Sequence, residues 1–257
     1  MSANHHCLNC NERVSKKFCP NCGQKTDTHK ITLKHFLLHD IAHGVWHFDR
    51  GILFTLKEAI VRPGQAALDY ISGKRVRYYN VFYLSLLLIG LHLLLLHVYE
   101  TFRNPEIASM DATNIPNVSN FFTNNIKFIL FSIVPILGLN AALFFKRLKL
   151  NLAEHFILAG IALLGMIELT LLFTFIDFLN EKISLFLIGI FEVIVFFTIV
   201  LYPMWVYFNA TQKHYTLLGR SWRIVLFYLF VFFQISLMLS LIIINLTDGK
   251  GDFYINI

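Results

Sequence analysis

The sequence predicts an all-α polytopic membrane protein with about five transmembrane helices, preceded by a small cysteine-rich domain. Three observations support this fold class. Of the 257 residues, 56% are hydrophobic, with 26 Phe, and the mean hydropathy is +0.59, which exceeds the values of a soluble domain of this size. The apolar residues are concentrated after Val81 in long runs. The first 80 residues are polar and basic and contain all four cysteines.

Five apolar windows are long enough to be transmembrane helices, since a hydrocarbon core of about 30 Å needs roughly 20 helical residues. They are Val81 to Val98, Ile126 to Phe145, Phe156 to Ile176, Ile183 to Phe208 and Ile224 to Leu246. The chain therefore divides into an N-terminal domain (1–28), a connecting region (29–80) and a transmembrane domain (81–257).

The distribution of Lys and Arg predicts the orientation in the membrane. Residues 1–80 contain 12 of the 22 Lys and Arg, and the segments 146–149 and 213–223 contain three each. Cytoplasmic loops of membrane proteins carry an excess of these residues. We therefore expect the N-terminus to be cytoplasmic and the C-terminus to lie outside.

The four cysteines form two C-x2-C pairs, which are Cys7 with Cys10 and Cys19 with Cys22. In a reducing compartment, metal thiolates are favoured over disulfides, and this spacing lets both thiolates of a pair reach one tetrahedral ion at about 2.3 Å. Gly23 supplies the positive φ that the turn after the second pair needs, and Asn11 takes that place after the first. The pattern predicts a zinc ribbon with structural zinc, because four sulfurs leave no open coordination position. A redox-active iron and a ribbon without metal are the alternatives.

The connecting region, 29–80, predicts amphipathic helices at the membrane interface. Thr32 could cap a helix running to about His47, and a second helix from Ile52 to Val61 ends at Arg62-Pro63-Gly64. Its apolar face consists of Ile52, Leu53, Leu56, Ala59 and Ile60. Such helices lie in the membrane plane with their apolar side buried.

A basic cluster follows these helices at Lys74, Arg75 and Arg77. We expect it to contact anionic lipid headgroups, each cation contributing about 1 kcal/mol of attraction. Two roles are open for this cluster: it anchors the membrane topology, or it recognises a specific lipid.

Four histidines recur every fourth residue in the first interfacial helix, at His35, His39, His43 and His47. On a helix they form one slowly drifting stripe. Two of them could chelate a divalent ion, which predicts a secondary metal or pH-sensing stripe. The alternative is a polar helix face that becomes protonated next to headgroups.

Glu168, Glu192 and His92 are ionisable residues well inside predicted spans, where such groups are costly and mark functional sites. Glu168 and Glu192 are both expected roughly 12 to 14 Å below the outer surface, and His92 about 9 Å below it. We expect a short outer loop, Asp177 to Lys182, which makes the third and fourth spans antiparallel neighbours and lets the two carboxylates meet. The set predicts a proton or cation site. Carboxyl groups that only support helix packing, or that act in catalysis, are the alternatives.

Several motifs resemble those of a known family. They are Cys19-Pro20-Asn21-Cys22-Gly23, Asp49-Arg50-Gly51, Phe54-Thr55-Leu56, Arg62-Pro63-Gly64, Tyr70-Ile71-Ser72-Gly73-Lys74-Arg75, Tyr78-Tyr79, Glu154-His155-Phe156 and the stretch from Tyr207 to Trp222. Together they resemble the domain of unknown function 3667 family of membrane proteins, over nearly the whole chain. The resemblance implies a bacterial inner-membrane protein with an N-terminal zinc ribbon, and it implies no established activity.

The cytosolic part carries no Ser-His, Cys-His or phosphate-loop pattern, and Phe18 is nearly the only aromatic residue in the ribbon for stacking on bases. We therefore expect neither an enzyme nor a nucleic-acid partner. The prediction is a non-enzymatic assembly, regulatory or scaffolding protein whose zinc ribbon binds a protein partner. The alternative is a small proton- or cation-coupled transporter or channel that uses Glu168 and Glu192, and an intramembrane enzyme acting on lipid is a third hypothesis.

Overall fold

A computed structural model describes residues 5–26, 51–103, 118–183 and 186–246. Within these ranges a two-stranded antiparallel sheet, β1 (His5–His6) and β2 (Arg13–Val14), precedes seven α-helices. The helices are α1 (Gly51–Val61), α2 (Pro63–Ile71), α3 (Val81–Arg103), α4 (Val118–Phe144), α5 (Leu152–Ile183), α6 (Phe186–Ala210) and α7 (Leu217–Leu246). A 3-10 turn, Lys146–Leu148, precedes α5. The predicted helix from Thr32 to His47 lies outside the described residues.

Four of the described helices are long and apolar enough to cross a membrane, judged by length and composition. The stretches are Val81–Tyr99, Leu152–Asn180, Phe186–Ala210 and Leu217–Leu246. The remaining predicted span falls in α4, whose apolar part, Phe128–Phe144, is shorter. The fold class, an all-α membrane protein with an N-terminal cysteine ribbon, is confirmed.

The predicted outer loop from Asp177 to Lys182 is wrong. These residues form the last turns of α5, which ends at Ile183. The predicted span ends at Ile176 because Asp177 follows, but the apolar stretch of α5 runs on to Asn180 and the helix to Ile183, since Leu, Glu and Lys are good helix formers. A charged residue near the end of a span therefore marks neither the end of the apolar stretch nor the end of the helix.

Helix α5 is the centre of the bundle and packs against α1, α2, α3, α4 and α6. Of its most apolar stretch, 56% is buried inside the protein, against 17% for α6 and 11% for α7. Small residues make this close packing possible, since a Cβ at Gly160 would meet the Phe82 ring and one at Gly165 would meet Tyr202. The sides of α6 and α7 that face away from α5 are apolar and exposed, as lipid-facing helices require.

Helices α1 and α2 pack against the membrane-spanning helices. The hydroxyl of Tyr202 on α6 donates to the carbonyl of Ala59, and a Cβ at Gly64 would overlap the backbone of Ala210. The chain breaks between Val61 and Pro63 as predicted, but a second helix starts at once, with Pro63 in its first turn, where proline is well tolerated.

The face of α1 that packs on the protein differs from the predicted apolar face. Its buried residues are Ile52, Thr55, Glu58 and Ala59. Leu53, part of the predicted face, is 77% exposed. Close helix packing selects small residues and groups that find hydrogen-bond partners, and Leu53 is left on the side away from the bundle.

The segments between helices meet at one end of the bundle. The N–H of Gln65 donates to the Asn209 side chain at 2.9 Å, and the Gln65 side chain donates to the Asn209 carbonyl at 3.0 Å. The N–H of Arg147 donates to the hydroxyl of Tyr215 at 3.0 Å. The start of α2 and the segments that follow α4 and α6 therefore share one end.

Candidate metal centre

The two cysteine pairs of the ribbon sit on two turns with the same backbone geometry. A residue with positive φ follows each pair, Asn11 at 62° and Gly23 at 74°. The N–H of Asn11 donates to the carbonyl of Cys7 at 2.8 Å, and that of Gly23 to the carbonyl of Cys19 at 2.9 Å. Both predicted left-handed positions are confirmed, and both residues are types that adopt this conformation at low cost.

A second pair of hydrogen bonds closes each turn. The N–H of Cys7 donates to the carbonyl of Glu12, and that of Cys19 to the carbonyl of Gln24, both at 2.8 Å. Strands β1 and β2 flank the first turn, and a bridge between Phe18 and Lys25 flanks the second. The backbone alone therefore presents the two cysteine pairs in equivalent positions.

The four sulfurs converge between the turns. The Sγ atoms of Cys7 and Cys22 are 3.5 Å apart, as are those of Cys10 and Cys19, and all four lie within 4.8 Å of one another. In a tetrahedral site with metal–sulfur bonds of about 2.3 Å, the sulfurs are roughly 3.8 Å apart. No disulfide joins these cysteines, and the cluster has the size and donor set to hold a metal ion.

The thiols share protons unequally. Burial raises the pKa of Cys22, but hydrogen bonds from the Asn9 side chain and the Gln24 backbone, with those from Cys7 and Cys10, outweigh it and lower the pKa to about 6. A backbone hydrogen bond at Glu12 lowers the pKa of Cys10, yet burial and the neighbouring thiols together raise it to about 12. Cys22 is therefore a thiolate at neutral pH, whereas Cys10 keeps a proton that a metal ion must displace.

The ribbon docks on the segment between α2 and α3 through Gln24. The side-chain amide of Gln24 donates to the carbonyl of Gly73, and its side-chain oxygen accepts from the N–H of Val76 at 3.4 Å. Gln24 is 2% exposed. Gly73 has a φ of 106°, and a Cβ there would lie 2.6 Å from Cδ1 of Leu8. A glycine is needed both for this backbone conformation and for the close approach of the ribbon.

Asn9 makes a second connection, which reaches the cysteine cluster itself. Arg77 donates from Nε to the side-chain oxygen of Asn9 at 2.9 Å and from a terminal nitrogen to its carbonyl at 3.0 Å. The Asn9 side chain also hydrogen-bonds the thiol of Cys22. Arg77, Asn9 and Cys22 thus form a continuous link from the membrane domain to the candidate metal site.

The basic cluster between α2 and α3 is engaged with protein groups. Arg77 holds Asn9, Arg75 lies over the Tyr70 ring at 5.8 Å, and Lys74 pairs with Asp69 at 2.6 Å. Asp69 also accepts from Tyr78 at 3.5 Å. Burial, followed by the charges of Asp69 and Glu58, raises the pKa of Tyr78 to about 12, so this hydroxyl stays protonated and donates. Lipid contact by Lys74, Arg75 and Arg77 stays a prediction.

Asn9 and Gln24 are docking residues that were not predicted from the sequence. Asn9 lies between the cysteines of the first pair, and Gln24 follows the glycine of the second. The available signal was a polar side chain at each turn without a role in the turn itself. Their partners, which lie 68 and 49 residues away, could not be read from local spacing.

Glu168 and Glu192 lie at different levels of the membrane domain. Glu168 is 15 residues from the end of α5, whereas Glu192 is six residues from the start of α6, which separates them by about 13 Å along the helix axes. The contact of Gly165 with Tyr202 and the approach of Asn180 to Gly189 fix this register. The structure does not bring the two residues to one level, because α5 continues beyond Ile176.

His92 is also separate from these carboxylates. Its Nδ1 lies 3.5 Å from the hydroxyl oxygen of Thr174, which donates to the carbonyl of Thr170 at 3.1 Å. Glu168 and Glu192 each keep one oxygen, Oε1, away from solvent and without a hydrogen-bond partner in the part of the chain that is described. The predicted stripe of His35, His39, His43 and His47 lies outside that part.

Residues 49–89 match the sequence model of a family described as a protein of unknown function (DUF3667). The matched segment contains α1, α2, the first turns of α3 and the loop that receives the ribbon, while the ribbon precedes it. No curated protein and no solved structure matches the chain. This match confirms, over residues 49–89, the resemblance inferred from the motifs.

Proposed function

We propose that the chain is a non-enzymatic assembly, regulatory or scaffolding protein of the membrane, whose metal-held ribbon binds a protein partner. The observation that carries the proposal is the docking of the ribbon through Gln24 and Asn9. Docking holds the ribbon against the membrane domain at a defined place. A partner bound there is therefore held close to the helix bundle, which is the property that an adaptor requires.

Zinc in a structural role is the proposed metal. Four sulfurs complete a tetrahedral shell and leave no position for a substrate. In the described part of the ribbon, the apolar cluster consists of the buried residues Cys7, Val14 and Cys19 and the partly buried Cys10 and Cys22, so apolar burial cannot hold so small a fold together. Binding of the metal then supplies the folding free energy of the ribbon.

The proposed partner surface is the exposed side of the second cysteine turn. Phe18 is 58% exposed in the docked ribbon, and Lys16 and Lys17 next to it are exposed as well. An aromatic side chain beside cations favours a partner with an apolar pocket and an acidic rim. Leu8, Asn9 and Gln24, by contrast, contact the chain's own loop.

The proposed location is a bacterial inner membrane, with the N-terminus cytoplasmic and the C-terminus outside. The support is the gathering of the basic segments at the end of the bundle that carries the ribbon, together with the positive-inside rule. Five crossings, counting α4, take the chain from this end to the other.

Affinity purification from native membranes tests the adaptor proposal. The intact chain is compared at equal abundance with a Cys19→Ser, Cys22→Ser double variant and with Phe18→Ala. We expect the double variant to lose both metal and partner, and Phe18→Ala to lose only the partner. Glu12→Gln is the matched control, since its exposed side chain belongs to the first cysteine turn and not to the proposed partner surface, and it should keep both.

Two results would contradict the proposal. A partner that both test variants retain must bind elsewhere on the chain. An intact chain that brings down no protein specifically would leave the ribbon as an internal structural element only.

Proton or cation movement through the membrane domain is the second candidate function. The buried Oε1 atoms of Glu168 and Glu192, which have no hydrogen-bond partner among the described residues, favour it, because ionisable groups within a membrane are costly and mark functional sites. Since the two residues lie at different levels, they are proposed as successive binding positions for a proton or cation along its path through the membrane domain. The flux of protons or cations into vesicles reconstituted with the full chain should fall in both Glu168→Gln and Glu192→Gln. If the flux in both variants equalled that of the intact chain, the candidate would be removed.

A further inference from the structure

The cations at the ribbon end of the bundle fall into two groups that differ in their partners. The first group lies between α1 and α3 and is paired with acidic residues of α1 and α2, Arg62 with Glu58 and Lys74 with Asp69. The second group lies in residues 146–149 and 211–223, which contain no Asp or Glu. Its members are Lys146, Arg147, Lys149, Lys213, Arg220 and Arg223. None of these forms an ion pair with another described residue.

Three arginines of this second group are held over aromatic rings. Arg147 and Arg223 lie 5.3 and 4.9 Å from the centroid of the Tyr215 ring, so their guanidinium carbons are at most about 10 Å apart. Arg223 also lies 4.2 Å from the Trp222 ring and donates to the carbonyl of Gly219 at 2.7 Å. Arg220 lies 3.8 Å from the Phe208 ring. Stacking of this kind positions guanidinium groups without neutralising their charge.

Tyr215 links the two segments that carry Arg147 and Arg223. The Arg147 N–H donates to the Tyr215 hydroxyl, and Tyr215 is buried against Phe145, with centroids 6.4 Å apart. Tyr215 therefore connects the turn before α5 to the turn before α7. In Arg220 the Nε atom is buried and has no hydrogen-bond partner among the described residues.

The depth of the cluster matches that of lipid headgroups. Helix α7 has 30 residues and is about 45 Å long, which exceeds a hydrocarbon core of about 30 Å. Trp222 is 47% exposed, and aromatic residues of this kind mark the membrane interface. Val225, Leu226 and Leu229, on the bilayer side of Arg223, are also exposed. Exposed apolar surface thus adjoins cations that pair with no described acid.

We propose that Arg147, Tyr215, Arg220 and Arg223 form a binding site for the phosphate of an anionic phospholipid, which we name the arginine–tyrosine site. The guanidinium groups donate to the phosphate oxygens, for which their planar geometry is suited. The lipid's acyl chains extend from there along the exposed apolar surface of α7 beyond Arg223, at Val225, Leu226 and Leu229. Basic pockets between membrane helices hold anionic headgroups in this way. The site is separate from Lys74, Arg75 and Arg77 and does not depend on the ribbon partner.

Calorimetric titration of the full chain in detergent tests the site with three probes: dioctanoyl phosphatidylglycerol, dioctanoyl phosphatidylcholine and inorganic phosphate. The test variant is Arg147→Gln, Arg223→Gln. The matched control is Lys146→Gln, Lys149→Gln, which removes the same charge from residues that lie over no described ring. We expect phosphatidylglycerol to bind about tenfold more weakly to the test variant and nearly unchanged to the control.

The other probes separate the sources of phosphate. Binding of the anionic lipid in preference to both phosphatidylcholine and inorganic phosphate is the expected result. Equal binding of the two lipids, or equal losses in the test and control variants, would overturn the site. Inorganic phosphate that binds while the lipid does not would overturn the lipid as its occupant.

Conservative variants guard against misfolding. In Arg147→Lys, Arg223→Lys the charge is kept but the planar group is lost, so we expect a folded chain with weakened lipid binding. Thermal unfolding measured without added lipid should agree between this variant and the intact chain. If both Arg147→Lys, Arg223→Lys and Arg147→Gln, Arg223→Gln bound phosphatidylglycerol as tightly as the intact chain, the assignment would be refuted.

Discussion

The side chain of Gln24 in the ribbon binds the backbone of Gly73 in the membrane domain, 49 residues further along the chain. The same side chain accepts a hydrogen bond from Val76, so one buried amide satisfies two backbone groups of the loop. A buried polar group is costly when it loses its partner and contributes modestly when it keeps it. The position of the ribbon therefore depends on this residue more than on its exposed neighbours.

Replacing Gln24 by Leu should loosen the ribbon without removing its metal. The variant leaves the Gly73 carbonyl without its donor, which costs about 1 to 3 kcal/mol, while all four sulfurs stay in place. Hydrogen exchange at the backbone amides of residues 73–77 should be faster, and the metal content should be unchanged. Thr26→Val, within the ribbon, should change neither quantity. Loss of metal together with docking would mean that Gln24 supports the metal site itself.

Gly73→Ala should destabilise the same contact for two separable reasons. The positive φ is strained for any residue with a Cβ, at a cost of about 1 to 2 kcal/mol, and the new Cβ would meet the Leu8 side chain. Adding Leu8→Ala should relieve the second effect only. Denaturation of the single and double variants would measure the coupling between the two positions.

Gly90→Ala is the control for this substitution. Gly90 lies in α3 with no atom within 4 Å of an added Cβ, and alanine is the better helix former by roughly 1 kcal/mol. We expect this variant to be as stable as the parent or slightly more so. If Gly73→Ala behaved the same way, the ribbon would not approach the loop as described.

The local features of the ribbon could be predicted from the sequence because they depend on neighbouring residues. Each turn is determined within five residues, by a C-x2-C pair and the residue that follows it, Asn11 in the first turn and Gly23 in the second. Docking could not be predicted, since Gln24 and Gly73 meet only in the tertiary structure. The sequence also left open a meeting of Glu168 with Glu192, and the structure places them at different levels because the predicted span ends at Ile176 whereas α5 runs on to Ile183.

Metal binding by the ribbon should weaken as the pH falls. Cys22, with a pKa of about 6, is ionised in the folded ribbon at neutral pH, whereas Cys10, with a pKa of about 12, is not. A lowered pKa stabilises the folded state above the ordinary pKa of the thiol, and this contribution is lost as the pH falls through about 6. Below that value, a metal ion must displace a proton from Cys22 as well as from Cys10.

Chelator competition between pH 5 and pH 8 measures this dependence on the full chain. The apparent affinity for Zn²⁺ should rise with pH, and binding at pH 7 should release protons. An affinity that does not change with pH would contradict ligation by four thiolates. Cys22→Ser should lower the affinity over the whole range because it removes a ligand.

Disulfide formation between engineered cysteines can test the register of α5 and α6. Leu169 and Thr198 lie one helical turn from the contact between Gly165 and Tyr202, and both line the same groove between the helices. A Leu169→Cys, Thr198→Cys variant should therefore form a cross-link, since a disulfide needs Cα atoms within about 7 Å. Glu168→Cys with Glu192→Cys should form none, because their levels differ by about 13 Å. The ribbon cysteines remain in both variants, so the link is identified by mass spectrometry of the joined peptides. A rapid cross-link in the second variant would contradict this register. Glu168 and Glu192 would then form one shared carboxylate site instead of two successive positions.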